Sequence, residues 1–342
     1  MRRLVRAVSI TAAAVGAAWA VERLWFAAPR HGGEASDHFD GKRFHNQQSG
    51  WQTEGSFLKW QATKSPTKWP DWIDAEPGPP PQQRVDSGIR ITHINHSTVL
   101  IQMDGLNILT DPIWSARCSP VQWVGPMRHR PPGLRFEDLP PLDAVLVSHN
   151  HYDHMDVATL RRLRGIPLFV PLGNAALLER HGIPGARDLD WWDDARLSDD
   201  VTVTFTPSQH FSARALSDRN ATLWGGFVIS GPSGNVYFAG DTGWGRHYED
   251  IAQRFGPMRV ALLPIGSYLP RWFMKPAHID PREAVDAHFV LQAKTSIAIH
   301  YGTWQLGDDG EREPVDDLHA AMKVRGNPNF LVLEHGQGFD AP

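Results

Sequence analysis

The feature that most constrains this chain is a cluster of metal-ligand side chains, His149-x-His151-x-Asp153-His154, in a polar loop. The loop follows directly on residues 143–147 (DAVLV), a continuous apolar run typical of a buried strand. In an extended loop, His149 and His151 point the same way and can bind one ion. Asp153 and His154 lie where the chain turns into a predicted helix, and they can bind a second ion beside the first. The spacing therefore predicts a metal centre at the end of a buried strand.

Three later segments each place a His or Asp just beyond an apolar run, as a ligand at a sheet edge requires. His210 follows a predicted strand over 201–205, Asp241 follows one over 236–239, and His300 follows one over 296–299. Each is a weak signal alone, since an Asp in Gly-Asp-Thr-Gly is also a common turn residue. Together with the first motif they make five histidines and two aspartates. Seven ligands exceed what one tetrahedral ion uses, so we expect two metal ions.

Composition excludes several other classes of protein. Cys118 is the only cysteine, which rules out an intrachain disulfide framework and a multi-cysteine zinc site. Lys and Arg total 34 against 38 for Asp and Glu, a formal charge of −4, so there is no basic excess of the kind that binds a nucleic-acid backbone. We therefore expect no nucleic-acid partner.

The first segment, 1–28, is expected to be a signal peptide or an N-terminal membrane anchor. Arg2 and Arg3 precede an uncharged stretch over 7–21, and Ala18-Trp19-Ala20 is an acceptable cleavage site. The stretch is shorter than the roughly 20 residues that a bilayer span needs. The expected location is at a membrane or outside the cell, and otherwise cytoplasmic. The alternative interpretation is an Ala-rich amphipathic helix on the protein surface.

The second segment, 29–86, is expected to be a polar arm that packs on the body through its tryptophans. Trp51, Trp60, Trp69 and Trp72 are scattered along it, and a stiff Pro-Gly-Pro-Pro-Pro spacer over 77–81 ends it. Because an indole suits the boundary between water and an apolar phase, the tryptophans are also compatible with a lipid or partner surface.

The third segment, 87–342, is expected to be the catalytic domain. Strands are predicted over 89–94, 97–103 and 106–109, with a hairpin turn at Asp104-Gly105. A helix is predicted over 156–164 with Asp156 as its cap, followed by strands (168–170, 201–205, 236–239, 260–263, 296–299) that alternate with helices (175–180, 247–255, 281–289). The pattern is that of an α/β domain.

These residues resemble the metallo-β-lactamase superfamily and, more narrowly, its N-acyl-phosphatidylethanolamine-hydrolysing phospholipase D family. The resemblance covers about residues 89–336 and rests on the segments LTDP (109–112), SPVQWVGP (119–126), SHNHYDH (148–154), LDWW (189–192), FTPSQH (205–210), FAGDTG (238–243), PRWFMK (270–275) and IHYGT (299–303). It implies an α/β fold in the form of a four-layer αββα sandwich, with a dinuclear site at one edge of the paired sheets.

The resemblance also implies roles for individual residues. One zinc is held by His149, His151 and His210, the other by Asp153, His154 and His300, and Asp241 bridges both. His278 matches an active-site histidine that is not a ligand; a role in orienting a ligand is the equal alternative. The implied catalytic residues are Asp153, Asp241 and His278, and the implied substrate contacts are Gln122, Trp123 and Arg271. At position 277 this chain has alanine, where the mammalian members have glutamine.

The implied reaction is metal-dependent hydrolysis of a phospholipid, in which a hydroxide shared by two Zn²⁺ ions attacks phosphorus. Iron and manganese suit the same ligands. The implied partners are the phospholipid substrate, a membrane surface and, for a homodimer, a second copy of the chain. A lactonase or thioester hydrolase is the main alternative, since it would use the same metal set on a carbonyl. An iron oxidoreductase is a weaker alternative, and a non-catalytic binding protein would be expected to have lost ligands.

Overall fold

The computed structural model describes residues 25–48 and 56–342. The predicted leader over 1–28 lies almost entirely outside these ranges, and so does Trp51. In the part of the chain that is described, the helices lack the combination of length and hydropathy that crossing a bilayer requires.

The first sheet has seven strands in the spatial order β14-β1-β2-β3-β4-β5-β6. They are β1 (Ile89–Asn95), β2 (Thr98–Met103), β3 (Leu106–Thr110), β4 (Ala144–Leu146), β5 (Leu168–Pro171), β6 (Arg187–Leu189) and β14 (Gly338–Ala341). Strands β14, β1, β2 and β3 pair antiparallel, and β3 to β6 pair parallel. The β2–β3 hairpin turns at Asp104-Gly105, as predicted, and both residues have positive φ.

The second sheet also has seven strands, in the order β13-β12-β11-β10-β9-β8-β7. They are β7 (Asp194–Arg196), β8 (Thr202–Thr206), β9 (Gly226–Gly231), β10 (Gly234–Phe238), β11 (Val260–Pro264), β12 (Thr295–Ile299) and β13 (Phe330–Leu331). Strands β7 to β10 pair antiparallel, and β10 to β13 pair parallel.

Seven α-helices occur in the described ranges. They are α1 (Ser56–Thr63), α2 (Val157–Arg162), α3 (Asn174–Arg180), α4 (His247–Phe255), α5 (Arg271–Met274), α6 (Pro281–Val290) and α7 (Glu313–Val324). Asp156 caps α2 by accepting from the backbone of Ala158, as predicted. Helix α6 starts with a capping box between Asp280 and Glu283, with Pro281 in its first turn.

Three apolar layers hold these elements together. The middle layer joins the inner faces of both sheets, for example Ile101 of β2 and Phe227 of β9. One outer layer packs the first sheet against α2 and α3, and the other packs the second sheet against α4, α6 and α7. Because each sheet is apolar on both faces, each must be covered twice. The result is the predicted αββα sandwich.

The described part of the arm lies against the body. Phe44 is fully buried, and the Trp69 indole is buried and donates to the carbonyl of Asp309. Trp60 donates to Asp308 and stacks on Phe273 with ring centroids 4.9 Å apart. Trp72 is half exposed. The contact with Phe273 brings α1 next to α5, close to the edge where the candidate ligands gather.

Several strands end at one common edge of the sandwich. In the first sheet β1 and β4 run in the same direction, and in the second sheet β8, β10 and β12 do. The residues that follow these strands therefore meet at that edge, as in other sheets whose strands share a direction.

Candidate metal centre

The first group of candidate ligands is His149, His151 and His210. The Nε2 atom of His149 lies 2.9 Å from Nδ1 of His151, and Nε2 of His210 lies 3.3 Å from the same Nδ1 atom. The other ring nitrogen of His210, Nδ1, donates its hydrogen to the carbonyl of Ala277 at 2.9 Å. This hydrogen bond leaves the Nε2 lone pair of His210 directed at the other two rings.

The second group is Asp153, His154 and His300. Oδ2 of Asp153 lies 3.3 Å from Nε2 of His154 and 3.6 Å from Nε2 of His300. Asp241 lies between the two groups: its Oδ2 atom is 3.2 Å and 3.1 Å from the same two ring nitrogens. The distances from this oxygen to Nε2 of His149 and His210 are 4.0 Å and 3.9 Å. All seven predicted ligands thus meet in one cluster.

The unsatisfied atoms of this cluster fit metal ions. Nε2 of His154, Nε2 of His300 and Oδ1 of Asp241 are buried and make no hydrogen bond. An unpaired buried polar atom is costly, and several that converge on one point call for a common partner. Two separate sets, His96-Asp153-His154-His300 and His149-His151-His210, each have all their ligand atoms within 4.8 Å of one another. Nitrogen and carboxylate ligands suit Zn²⁺, Fe and Mn.

Burial keeps one half of the cluster neutral. It lowers the pKa of His151 to about 4 and that of His210 to about 3, and it holds the pKa of His149 well below its usual range. Neutral imidazole is the form that binds metals. Burial would raise the pKa of Asp241, but the neighbouring His154 and His300 outweigh it and hold the value well below the usual range.

Asp111 supports the second group, and the sequence analysis did not assign it a role. Its carboxylate accepts Nδ1–H of His154 at 2.6 Å, and it also accepts the hydroxyl and the backbone N–H of Ser148 at 2.6 Å and 2.7 Å. These bonds fix the ring of His154 so that Nε2 faces Asp153 and Asp241. The signal in the sequence was the Asp-Pro pair directly after the β3 strand.

His96 is a second residue that the sequence analysis missed. It lies in the turn between β1 and β2, is buried, and places Nε2 3.0 Å from Oδ2 of Asp153. Burial and the nearby charge of His300 lower its pKa to about 3, so the ring is neutral and donates this hydrogen bond. A histidine directly after an apolar strand was the available signal.

Asn46 of the arm binds the backbone of a candidate ligand. Its side-chain amide donates to the carbonyl of His210 at 2.8 Å, and its Oδ1 atom accepts the N–H of His210 at 3.0 Å. The same Oδ1 atom accepts the indole N–H of Trp224 at 3.0 Å. A residue whose N–H and carbonyl are both hydrogen-bonded has little backbone freedom, so the arm fixes where His210 enters the site.

The backbone is strained where the ligands leave the strands. His300 has a φ of 62° and His96 a φ of 46°, a region that few residues other than glycine adopt. Gly240, before Asp241, has a φ of 59°, and a Cβ atom there would lie 2.6 Å from Cβ of Ser148. These conformations turn the side chains back over the sheet edge.

His278 stands beside the cluster. Its Nδ1 atom lies 4.0 Å from Oδ2 of Asp241 and makes no hydrogen bond. Burial lowers its pKa to about 3. Its backbone N–H donates to the carbonyl of Met274, and its backbone carbonyl accepts from the Arg271 guanidinium at 2.8 Å. These bonds fix the backbone of His278 and leave its Nδ1 atom without a hydrogen bond.

A cleft of 190 Å³ opens onto the cluster. Its polar wall includes His151, Asp153, Asp241, His278 and His300. Its apolar wall comprises Phe57 and Trp60 of α1, Phe273 and Met274 of α5, and Phe211, Ala277 and Leu306. A larger cavity of 720 Å³ between α5, α6 and α7 is lined by none of the candidate ligands.

The three expected substrate contacts lie outside the lining of this cleft. Gln122 makes hydrogen bonds with the backbone of Arg117 and lines a different cavity, and Trp123 is 80% exposed. Arg271 is paired with Asp280 and Glu283, so its charge is already neutralised. The contribution of α1, which lies in the arm, to the lining of the cleft was not predicted from the sequence.

Comparison with known proteins agrees with the fold and with the ligand cluster. A family profile described as a beta-lactamase superfamily domain matches residues 106–301. The chain belongs to the metallo-β-lactamase superfamily. It is accordingly a metal-dependent hydrolase, as the sequence analysis predicted at this level.

Two of the similar proteins are named N-acyl-phosphatidylethanolamine-hydrolyzing phospholipase D. The chain is 37% identical over 273 residues to N-acyl-phosphatidylethanolamine-hydrolyzing phospholipase D 1 of Caenorhabditis elegans, covering 75% of this chain and 77% of the relative. It is 34% identical over 232 residues to the mitochondrial N-acyl-phosphatidylethanolamine-hydrolyzing phospholipase D of Saccharomyces cerevisiae, covering 65% of this chain but only 49% of the relative.

A solved structure with a similar fold is the isothiocyanate hydrolase from Delia radicum gut bacteria. The TM-score is 0.59 at 22% identity, and the match covers 74% of this chain and 100% of that chain. At this level of identity, the match shows that the two proteins share a fold.

Proposed function

We propose that the protein is a dinuclear phospholipase D-type phosphodiesterase that hydrolyses N-acyl-phosphatidylethanolamine or a related lipid. The names of its relatives in nematode and yeast support the substrate class. The observation that carries the proposal is the cleft, because it joins a cluster of metal ligands to an apolar wall.

The two walls of the cleft match the two parts of a phospholipid. The wall of Phe57, Trp60 and Phe273 can bury hydrocarbon, at roughly 0.8 kcal/mol for each CH₂ group. At the other wall the imidazoles and carboxylates surround the position that a phosphodiester would occupy. A small polar substrate would leave the aromatic wall in contact with water, so the wall favours a lipid.

The donor sets would divide between two ions. His149, His151 and His210 would hold one, Asp153, His154 and His300 the other, and Asp241 would contact both. When bound, the ions supply Lewis acidity at the phosphoryl oxygens and a nucleophile at neutral pH. Zn²⁺ suits these ligands, as do iron and manganese.

The chain's own residues orient the metal-binding side chains and provide a hydrogen-bond donor beside them. Asp111 and the Ala277 carbonyl accept hydrogen bonds from Nδ1 of His154 and His210, which leaves Nε2 of each ring as the nitrogen that would bind a metal ion. The unpaired Nδ1 atom of His278 faces the space beside Asp241. There the neutral ring can donate a hydrogen bond to a phosphoryl oxygen or to the departing alkoxide.

Product analysis tests the proposal. Purified, metal-analysed protein should convert N-acyl-phosphatidylethanolamine into phosphatidic acid and an N-acylethanolamine. In ¹⁸O-labelled water the label should enter the phosphate and not the alcohol. Label found only in a carboxylate, or activity confined to lactones and thioesters, would overturn the phosphodiesterase proposal and leave the hydrolase class intact.

A further inference from the structure

A second concave site lies where the arm meets α3 and the loop that follows His210. It is a cavity of 290 Å³, lined by residues 27–30, by residues 42 and 43 of the arm, by the end of α3, and by residues 217–219 and 221. Five basic side chains line it, and we call it the basic pocket: Arg30, Lys42, Arg43, Arg180 and Arg219. The chain as a whole has a formal charge of −4, so this concentration does not follow from a general excess of basic residues.

The single acid among the described residues that line the basic pocket is already engaged. Asp218 is buried, and its Oδ2 atom accepts the N–H of Ala28 at 2.7 Å. Its Oδ1 atom accepts the N–H groups of Arg214 and Ala215 at 3.0 Å and 2.9 Å. The carboxylate therefore joins Ala28 to the loop by accepting hydrogen bonds from backbone N–H groups. The side chains that line the pocket carry five positive formal charges against this one negative charge.

The positive charges in the basic pocket act on one another. Burial lowers the pKa of the Arg219 guanidinium, and the nearby charge of Arg43 lowers it further. An anion placed between the two guanidinium groups would relieve this repulsion. Arginine side chains bind phosphate oxygens through two parallel hydrogen bonds, which makes phosphate the anion that such a pocket suits best.

The basic pocket is a neighbour of the catalytic cleft. The Arg219 guanidinium lies over the ring of Phe211 at 4.4 Å, and Phe211 lines the cleft. Two exposed apolar side chains flank the pocket in sequence: Leu216 is 99% exposed and Trp25 is 66% exposed. Basic side chains beside exposed apolar ones are the arrangement of an interfacial membrane contact.

The sequence places the basic pocket close to the apolar stretch over 7–21. Five residues lie between Val21 and Ala27, which lines the pocket, and the six steps from one to the other span at most roughly 20 Å when extended. A bilayer that takes up the apolar stretch would therefore keep the pocket near its headgroup layer.

We propose that the basic pocket binds the phosphate of an anionic phospholipid at a membrane surface and so holds the neighbouring cleft at the bilayer. The ligand class is a phosphate ester of a membrane lipid, in a site separate from the candidate metal centre. This role rests on the proposed lipid substrate, since it is the access of a lipid to the cleft that it would serve.

The test is vesicle binding by the full chain. Binding to phosphatidylcholine vesicles is compared with binding to vesicles that also contain phosphatidylserine, for the wild type and for the Lys42→Glu/Arg43→Glu variant. The matched control carries the same charge change at two exposed lysines outside the pocket, Lys294→Glu/Lys323→Glu. Comparing the variants with the wild type on the same vesicles cancels any binding by residues 1–24, which all of them share.

We expect the wild type to prefer the anionic vesicles and the pocket variant to lose that preference by at least about tenfold, because each basic residue at an anionic surface contributes roughly fivefold. The control should keep the preference. A photoactivatable phosphatidylserine analogue should crosslink to peptides that contain residues 25–43 or 217–221.

Three results would overturn the role. One is an equal preference in wild type and pocket variant, and a second is crosslinks confined to other surfaces. The third is binding of inorganic phosphate, measured by calorimetry, without any preference for anionic vesicles; this would identify a site for free phosphate. Vesicle binding needs no turnover, so failure here and failure of the proposed phosphodiesterase activity are separate results.

Discussion

Asp241 contacts both halves of the candidate metal centre through one carboxylate oxygen. Its Oδ2 atom is within 3.2 Å of His154 and His300 and within 4.0 Å of His149 and His210. A carboxylate in this position would neutralise charge between two cations as well as bind them. Replacing it should therefore affect both ions at once.

We expect Asp241→Asn to lower kcat/KM at least about a hundredfold, because substituting residues that only support a ligand already costs 10- to 100-fold. The protein should stay folded and bind less than its full complement of metal. Asp199→Asn, at an exposed position, is the control. Activity near wild type in Asp241→Asn would remove Asp241 from the proposed site.

His96 acts on the cluster through Asp153. Substituting phenylalanine keeps a ring of similar size but removes the hydrogen bond from Nε2 to Oδ2 of Asp153. We expect His96→Phe to weaken the binding of one metal ion about 10- to 100-fold, measured by competition with a chelator. His96→Gln, which keeps a donor, should recover part of the loss. His319→Phe, on the exposed face of α7, is the control. Unchanged metal affinity in His96→Phe would mean that His96 only fills space.

At the scale of elements, the arm contributes to a site that the catalytic domain otherwise builds. Asn46 holds the N–H and carbonyl of His210, and α1 supplies Phe57 and Trp60 to the cleft wall. The family profile begins at residue 106, so these contacts come from outside the matched segment. The arm is therefore part of the candidate site as well as a cover for the sandwich.

We expect Asn46→Ala to weaken metal binding at least about tenfold and to lower the free energy of unfolding by about 1–3 kcal/mol, because two hydrogen bonds to the His210 peptide are lost. Chelator competition and denaturant titration measure the two effects. Gln47→Ala, at the exposed neighbouring position, should change neither quantity. If both variants behave alike, the arm does not position His210.

The arm also carries a pH-dependent contact. His38 bonds to Asp190 of the body at 2.8 Å and to Asp37 at 2.6 Å. Burial opposes protonation of His38, but the two carboxylates outweigh it and raise its pKa above the usual 6.5. The stabilisation is therefore complete below pH 6.5 and disappears as the pH rises through the higher folded-state value.

We expect the amide protection of residues 36–46 in hydrogen exchange, corrected for the intrinsic exchange rate, to fall in the wild type as the pH rises from 6.5 through the folded-state pKa of His38. His38→Gln should show a smaller change, and His45→Gln, whose side chain is 54% exposed, should behave like wild type. A pH dependence that is identical in all three proteins would contradict this assignment.

At the scale of the whole molecule, the candidate metal centre joins the two sheets. His149 and Asp153 follow the first sheet, and His210, Asp241 and His300 follow the second. Metal bound at this edge would link the sheets at the place where buried nitrogen and oxygen atoms of the ligands make no hydrogen bond. Ligands that bind only the folded state stabilise it, by about 4 kcal/mol at a thousandfold excess over Kd.

We therefore expect elemental analysis to find close to two transition-metal ions per chain, and exhaustive chelation to lower the Tm measurably and abolish activity. Adding zinc back should restore both. A preparation with no metal, whose Tm and activity are unaffected by strong chelators, would contradict the proposed centre.

Much of the fold could be predicted from local patterns. The predicted strands and helices of the catalytic domain begin and end within two residues of the observed ones; α4, for example, covers 247–255 as expected. Periodicity, caps and turn residues are properties of neighbouring positions, so they are visible in a sequence. Short edge strands such as β6, β7 and β14 were not predicted, because their pairing with a sheet and not their composition makes them strands.

By itself the sequence determined the class of fold and the candidate ligands, because a ligand set at the end of a buried strand is a local pattern with few other uses. Only the tertiary structure decided what surrounds those ligands. His96, Asp111 and Asn46 look like ordinary turn, strand-end and arm residues, and Gln122, Trp123 and Arg271 belong to motifs yet do not line the cleft. The physical reason is that tertiary packing brings together residues far apart in the chain: Asn46 lies 164 positions from the His210 backbone that it holds.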